Sequence, residues 1–174
     1  MAIASVLSNQ RGHTDALLNH VYLQLKRDGV RMVGALRVAP AIAGRGDCES
    51  DLWLLPDGPM ARITQNLGPG STACRMDTGA FEDAVGLATT RLKVGGADLV
   101  ILNKFGLSEA EGRGFRALIA EALGIGLPVL IGLSPTHRVA FELFSGGLAT
   151  SLPPYEFAIL EWCQQEASAR ARCQ

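Results

Sequence analysis

SVLSNQRGHTDALLNHVYLQL, residues 5–25, decides how the rest of the chain is read. A short apolar run from Ala2 to Ser8 suits a buried strand of a parallel sheet, and the polar SNQRGHT that follows holds a single glycine. From Thr14 the apolar residues Leu17, Leu18, Val21 and Leu25 recur at spacings of three and four. That spacing lines one face of a helix of about four turns, and Asp28-Gly29 stops it. Val30–Val38, VRMVGALRV, alternates and carries β-branched residues, which predicts a second strand. Strand, helix and strand in succession make a βαβ unit.

Outward from this unit, the middle of the chain changes character. Pro40–Asp51 is rich in Gly, Ala and charge and reads as a loop, whereas DLWLL, PDGP and MARITQNL read as a hairpin bent at Asp57-Gly58. An antiparallel insertion of this kind extends one edge of a parallel sheet. GPGSTACRMDTG is a further loop, leading to a helix from about Thr78 to Val94 that Asp77 or Thr78 would cap. The second half alternates strictly. ADLVILN is a buried strand, KFGLSEAEGRG a polar loop, FRALIAEALGIG a helix and LPVLIGL another buried strand. SPTHRVAFELFSGG then predicts a capped helix with Phe141 and Phe144 inward, LATSLP a short edge strand or loop, and YEFAILEWCQQEASARAR a terminal helix. The expected fold is α/β: a three-layer sandwich with a mostly parallel sheet and an antiparallel β-hairpin insertion, formed as one domain over residues 1–174.

Composition narrows the function classes. With 174 residues and 48% hydrophobic content, the chain fits one core that buries roughly two-thirds of the unfolded surface. Sixteen basic and seventeen acidic residues leave a net charge of -1, without the basic excess of a nucleic-acid binder. Its apolar runs stop far short of the ~20 residues that cross a membrane. MAIASVLSNQ reads as a first strand and not as a secretory leader, so the expectation is a cytoplasmic protein. No nucleic-acid or membrane partner is expected; the partner is a small anionic ligand, and the sequence leaves room for a homo-oligomer.

Ligands of an open parallel sheet bind at the carboxyl ends of its strands, so the loops after strands carry the candidates. SNQRGHT lies between strand and helix, as does the phosphate-binding loop G-x-x-x-x-G-K-[ST]. Here Leu7 takes the position of the first glycine, His13 that of the lysine and Thr14 that of the magnesium-binding hydroxyl. A helix N-terminus concentrates about half a positive charge on free N–H groups, which favours an anion even without the lysine. The amides of Asn9, Gln10, Arg11, Gly12, His13 and Thr14 are therefore candidate ligands, with Arg11 or His13 as partial substitutes for the missing charge.

The next loop begins NKFG. It resembles the guanine-reading N-K-x-D with Gly106 in place of the aspartate, so nothing there rewards guanine. The strand before it ends in Asn103-Lys104, where the magnesium-holding strand of phosphoryl-transfer enzymes carries an acid. The same loop adds Glu109, Glu111 and Arg113; these either line the crevice with Lys104 or dress a helix start in the charges its dipole favours. Arg75 and Asp77 stand at another helix entrance, beside Cys74. If the hairpin folds back, Cys74 and Cys48 would form a soft-metal or redox pair, although no histidine completes a zinc set. Cys163, among Ile159, Leu160 and Trp162, reads as a small core residue. G-x-S-x-G and H-E-x-x-H are absent.

CRMDTGAFEDAV, ADLVILNKFGLSEAEGRGFRALIAEALGIGLPVLIGLSP and FSGG together resemble a bacterial family of unknown function described as nucleoside-triphosphatase-like. Its genes are often associated with molybdate uptake or nitrogenase regions. The resemblance implies a P-loop NTPase-like fold similar to cancer-related nucleoside triphosphatases and to the guanine-dinucleotide accessory protein of molybdopterin synthesis. The family's motifs fall on Asn103, Lys104, Phe105, Gly106, Glu109, Gly112, Arg113 and Gly114, and on Cys74, Arg75 and Asp77; Leu107 departs from an expected lysine. The reading favoured at this level is a nucleotide- or oxyanion-binding accessory protein on a degenerate P-loop, with a nucleoside triphosphate and Mg, or a molybdate-like oxyanion, as ligand. An active triphosphate hydrolase using Thr14 with Glu109 or Glu111, and a partner-binding protein with a vestigial site, stand as alternatives.

Overall fold

A computed structural model describes residues 2–37, 51–65 and 75–172. The elements run β1 (Ile3–Leu7), α1 (His13–Arg27), β2 (Met32–Arg37), β3 (Asp51–Leu55), β4 (Met60–Arg62), β5 (Thr64–Gln65), β6 (Arg75–Met76) and α2 (Thr78–Gly95). They continue with β7 (Leu99–Phe105), α3 (Leu107–Ala110), α4 (Arg116–Gly124), β8 (Val129–Leu133), α5 (Arg138–Ser145), β9 (Thr150–Leu152) and α6 (Glu156–Ala171). One seven-stranded sheet has the order β4-β3-β2-β7-β8-β1-β9. β2, β7, β8, β1 and β9 are mutually parallel, and β3 runs antiparallel to both β2 and β4.

The strands that read as continuous apolar runs are buried on both faces, as three layers require. Ala4, Val6, Leu99, Ile101 and Leu130 pack against Leu18, Val21 and Leu25 of α1 and Ile159 and Cys163 of α6. Ile3, Val100, Leu102, Val129 and Ile131 face the other way, toward Phe81 and Val85 of α2, Leu118 and Ile119 of α4 and Phe141 of α5. Two edge-to-face ring pairs fill that layer, Phe81 with Phe115 at 5.5 Å between centroids and Phe105 with Phe141 at 5.3 Å.

The hairpin lies where its sequence placed it, on the β2 edge. Gly58, with φ of 83°, turns the chain and donates its N–H to the Leu54 carbonyl at 2.7 Å. Both layers hold the bend: Arg91 of α2 donates to the carbonyls of Leu54, Leu55 and Gly58, and the Tyr22 hydroxyl of α1 donates to that of Pro56 at 2.7 Å. MARITQNL divides, however. β4 ends at Arg62, and Thr64–Gln65 leaves the main sheet to pair with Arg75–Met76. A two-residue ladder carries no periodicity, which is why it is invisible in the sequence. Cys48 and Cys74 lie outside the described residues.

Cys163 is fully buried among apolar side chains, and burial pushes its thiol from 9.0 up to about 12. A raised acid favours its neutral form in the folded state. Its contribution is therefore intact below pH 9 and lost as pH rises toward 12. Thermal midpoints across that interval should fall more steeply for the wild type than for Cys163→Ala; parallel curves would assign the alkaline loss to another group.

Candidate functional site

The loop after β1 leads into the N-terminus of α1 with backbone donors left open. Gly12 takes a left-handed conformation with φ of 75°, which lets the chain turn straight into α1 at His13. His13 N–H bonds the Gln10 carbonyl at 3.2 Å and Ala16 N–H the Gly12 carbonyl at 3.0 Å. Among the described residues, the N–H groups of Gly12 and Thr14 and the Thr14 hydroxyl make no hydrogen bond. The His13 ring turns back to the strand end, where Nδ1 shares a hydrogen bond with the Ser8 hydroxyl at 3.1 Å. Asn9, Gln10 and Arg11 are exposed.

The ends of β2 and β7 face the first turn of α1. Between Leu102 and Phe105 the register of β7 against β8 slips: Leu102 pairs with Ile131 and Phe105 with Leu133, so Asn103 and Lys104 together oppose Gly132. Such a bulge resets the in-out alternation. Phe105 thereby returns to the α5 layer with Leu102, and two polar residues remain at the strand's mouth. Gly132 makes the bulge possible, because a Cβ there would lie 2.0 Å from the Asn103 carbonyl oxygen. Asn103 Oδ1 accepts the Arg37 N–H at 3.2 Å, and the Asn103 side chain also bonds the Asp15 carboxylate. Asp15 pairs with the Arg37 guanidinium at 3.6 Å. Asn19 fastens the group from below, donating to the carbonyls of Asp15 at 2.7 Å and Arg37 at 2.8 Å. Burial pushes the Asp15 carboxyl above its usual range, while the charges of Arg37 and Lys104 and the Asn103 bond pull the other way.

Glu109 and Arg113 are not in this group. The loop expected after the strand is partly ordered structure, since Lys104 and Phe105 continue β7 and Leu107–Ala110 forms a helical turn. Glu109 is only 3% exposed and turned inward, accepting the N–H of Gly106 at 2.9 Å and of Phe115 at 3.0 Å. Its carboxylate holds the loop's own backbone. Arg113 pairs with Glu111 on the surface. Asp77 caps α2, accepting the Ala80 N–H at 3.0 Å, and Arg75 is the first residue of β6. Sequence reasoning missed Asp15, Asn19 and Arg37. The rule that strand ends line the crevice, applied to the second strand as it was to the first and third, would have found Arg37.

On the α5 side of the sheet lies a cavity of about 690 Å³, bordered by Ser5, Leu7, Leu133, Phe141, Ser145 and Leu152. Ser5 is 5% exposed and its hydroxyl has no hydrogen-bond partner among the described residues. The cavity reaches Leu7, the last residue before the loop.

A parallel sheet with a glycine-turned loop between its first strand and α1, and with the third parallel strand ending across from that loop, defines a P-loop NTPase-like fold. Solved structures agree on the fold. The crystal structure of THEP1 from the hyperthermophile Aquifex aeolicus superposes with a TM-score of 0.64 at 14% identity, covering 91% of this chain and 95% of that one. The solution structure of a human cancer-related nucleoside triphosphatase gives 0.65 at 15% identity, with all of both chains covered. The chain belongs to the family described as Protein of unknown function (DUF2478), whose model matches residues 3–162. It is also 31% identical over 172 residues to the molybdenum import ATP-binding protein ModC 2 of Bradyrhizobium diazoefficiens, covering 98% of this chain but 19% of that protein. No helix among the described residues is long and apolar enough to cross a membrane.

Proposed function

We propose that this protein binds a phosphate-bearing nucleotide or a small tetrahedral oxyanion on a degenerate P-loop, and serves as an accessory or regulatory protein in molybdenum metabolism. The observation that carries the reading is the pairing of open N–H groups at Gly12 and Thr14 with cations at the facing strand ends, Arg37 and Lys104. Backbone donors and a guanidinium fork both match tetrahedral oxygens. The name of the ModC 2 relative supports the molybdenum setting. The cavity beside Ser5 and Leu7 offers volume for the uncharged part of a nucleotide, which a bare oxyanion does not need.

Thermal shift and calorimetry with ATP, GTP, molybdate, tungstate and phosphate test the reading. A rise in melting temperature with at least one of these anions is expected, and its loss in Lys104→Ala. No shift with any of them overturns the reading and leaves a partner-binding role. Steady turnover of a nucleoside triphosphate would replace it by hydrolysis.

A further inference from the structure

We propose that this protein binds its anion without a divalent metal, the guanidinium of Arg37 and the ammonium of Lys104 supplying the charge that magnesium supplies in P-loop proteins; this rests on the anion-binding reading above. A P-loop magnesium ion is held by the loop hydroxyl and a strand-end carboxylate. Thr14 retains the hydroxyl, but the strand end presents an amide, Asn103, whose oxygen already accepts the Arg37 N–H at 3.2 Å. The carboxylate that faces this point, Asp15, is engaged by Arg37 at 3.6 Å and by the Asn103 side chain. A magnesium ion that keeps most of its waters needs one carboxylate free to receive it, and the carboxylate at this point is paired with a guanidinium instead.

Charge is conserved in a different form. Asp15, Arg37 and Lys104 together carry one net positive charge, as a magnesium ion and one carboxylate do. The arginine is also held ready: its N–H is fixed by Asn103, its carbonyl by Asn19 and its guanidinium by Asp15. A guanidinium positioned in this way presents paired donors at fixed spacing to two oxygens of one anion, without reorganising as the anion arrives. Asp15 thus acts on the cation and not on a metal.

Titration calorimetry of the whole chain with ATP, and separately with molybdate, in magnesium and in EDTA decides the matter. Affinities in the two buffers are expected to agree within about twofold, and Arg37→Ala and Lys104→Ala are each expected to weaken binding by about tenfold or more in EDTA, as loss of a charged contact does. Arg37→Lys should recover part of the loss. Asn103→Asp, which adds a carboxylate beside Asp15, should weaken binding in EDTA and regain it in magnesium. Binding by the wild type that requires magnesium overturns the proposal while leaving the anion-binding reading intact; no binding of either probe in either buffer overturns both. Unchanged affinity in both folded alanine variants also overturns it, and because Lys104 is exposed, its variant serves even where Arg37→Ala does not fold.

Discussion

Gly132→Ala is expected to lower stability by about 3 kcal/mol or more, a fall of roughly 10 °C in the melting midpoint of a chain this size. The added Cβ would sit 2.0 Å from the Asn103 carbonyl oxygen and 3.1 Å from Leu18 Cδ1. Backbone of a central strand cannot yield as the tip of a side chain can, so either the bulge of β7 opens or β8 moves from its neighbours. The site should suffer with the fold, because the same bulge leaves Asn103 and Lys104 at the strand's mouth. Gly34→Ala should behave alike, its Cβ meeting the Ile101 carbonyl oxygen at 1.9 Å. Gly86→Ala is the control: it lies in α2 with nothing within 4 Å, and alanine there should add about 0.5–1 kcal/mol through helix propensity. Denaturant melts of the three variants check the argument, and a harmless Gly132→Ala would refute the assignment of that glycine to the bulge.

The second large effect is at Glu109. Glu109→Ala removes the acceptor for two N–H groups, those of Gly106 and Phe115, the second of them buried. Hydrogen bonds to a charged group contribute about 1.5–3 kcal/mol each, and buried N–H groups left bare cost a comparable amount, so a loss of about 3 kcal/mol is expected. Glu109→Gln keeps one oxygen acceptor but presents an NH2 to the other N–H, and should be intermediate. The order wild type, Gln, Ala in unfolding free energy is the signature of an acceptor. A glutamate that served as a catalytic base or metal ligand would leave stability nearly unchanged in both variants.

Much of the architecture is legible in the sequence because it is local. Leu17, Leu18, Val21 and Leu25 mark α1, Asp57-Gly58 marks the hairpin and Asp77 marks the start of α2; each signal is read from a few neighbouring residues. What escaped depends on distant ones. The bulge at Asn103-Lys104 is made by Gly132, nearly thirty residues later and on another strand, and no pattern within LVILNKF announces it. Glu109 reads as one more solvated acid in a polar loop, since nothing local shows that Gly114 will leave room for its carboxylate to turn inward; a Cβ at that glycine would meet Glu109 Oε1 at 2.4 Å. Arg37 ends a strand that no recognisable motif follows, and its partners Asp15 and Asn103 lie far from it in sequence. The candidate site is thus half legible: Lys104 and the loop from Asn9 to Thr14 carry signals in the sequence, while Asp15, Asn19 and Arg37, which the fold brings beside them, carry no motif.

β1, which leads into the candidate loop, is seated between β8 and β9, so residues 3–7 pair with 129–133 and residues 4–6 with 150–152. β1 therefore waits on strands more than 120 residues further along. During synthesis the loop has no sheet to stand on until β8 has emerged, and both flanks are in place only after β9. Contacts so far apart in sequence are slow to form because closing the intervening chain costs entropy before any pairing rewards it. β1 and the loop after it are then expected to be completed late in folding, and an anion added during refolding should speed neither collapse nor helix formation but only hold the finished state.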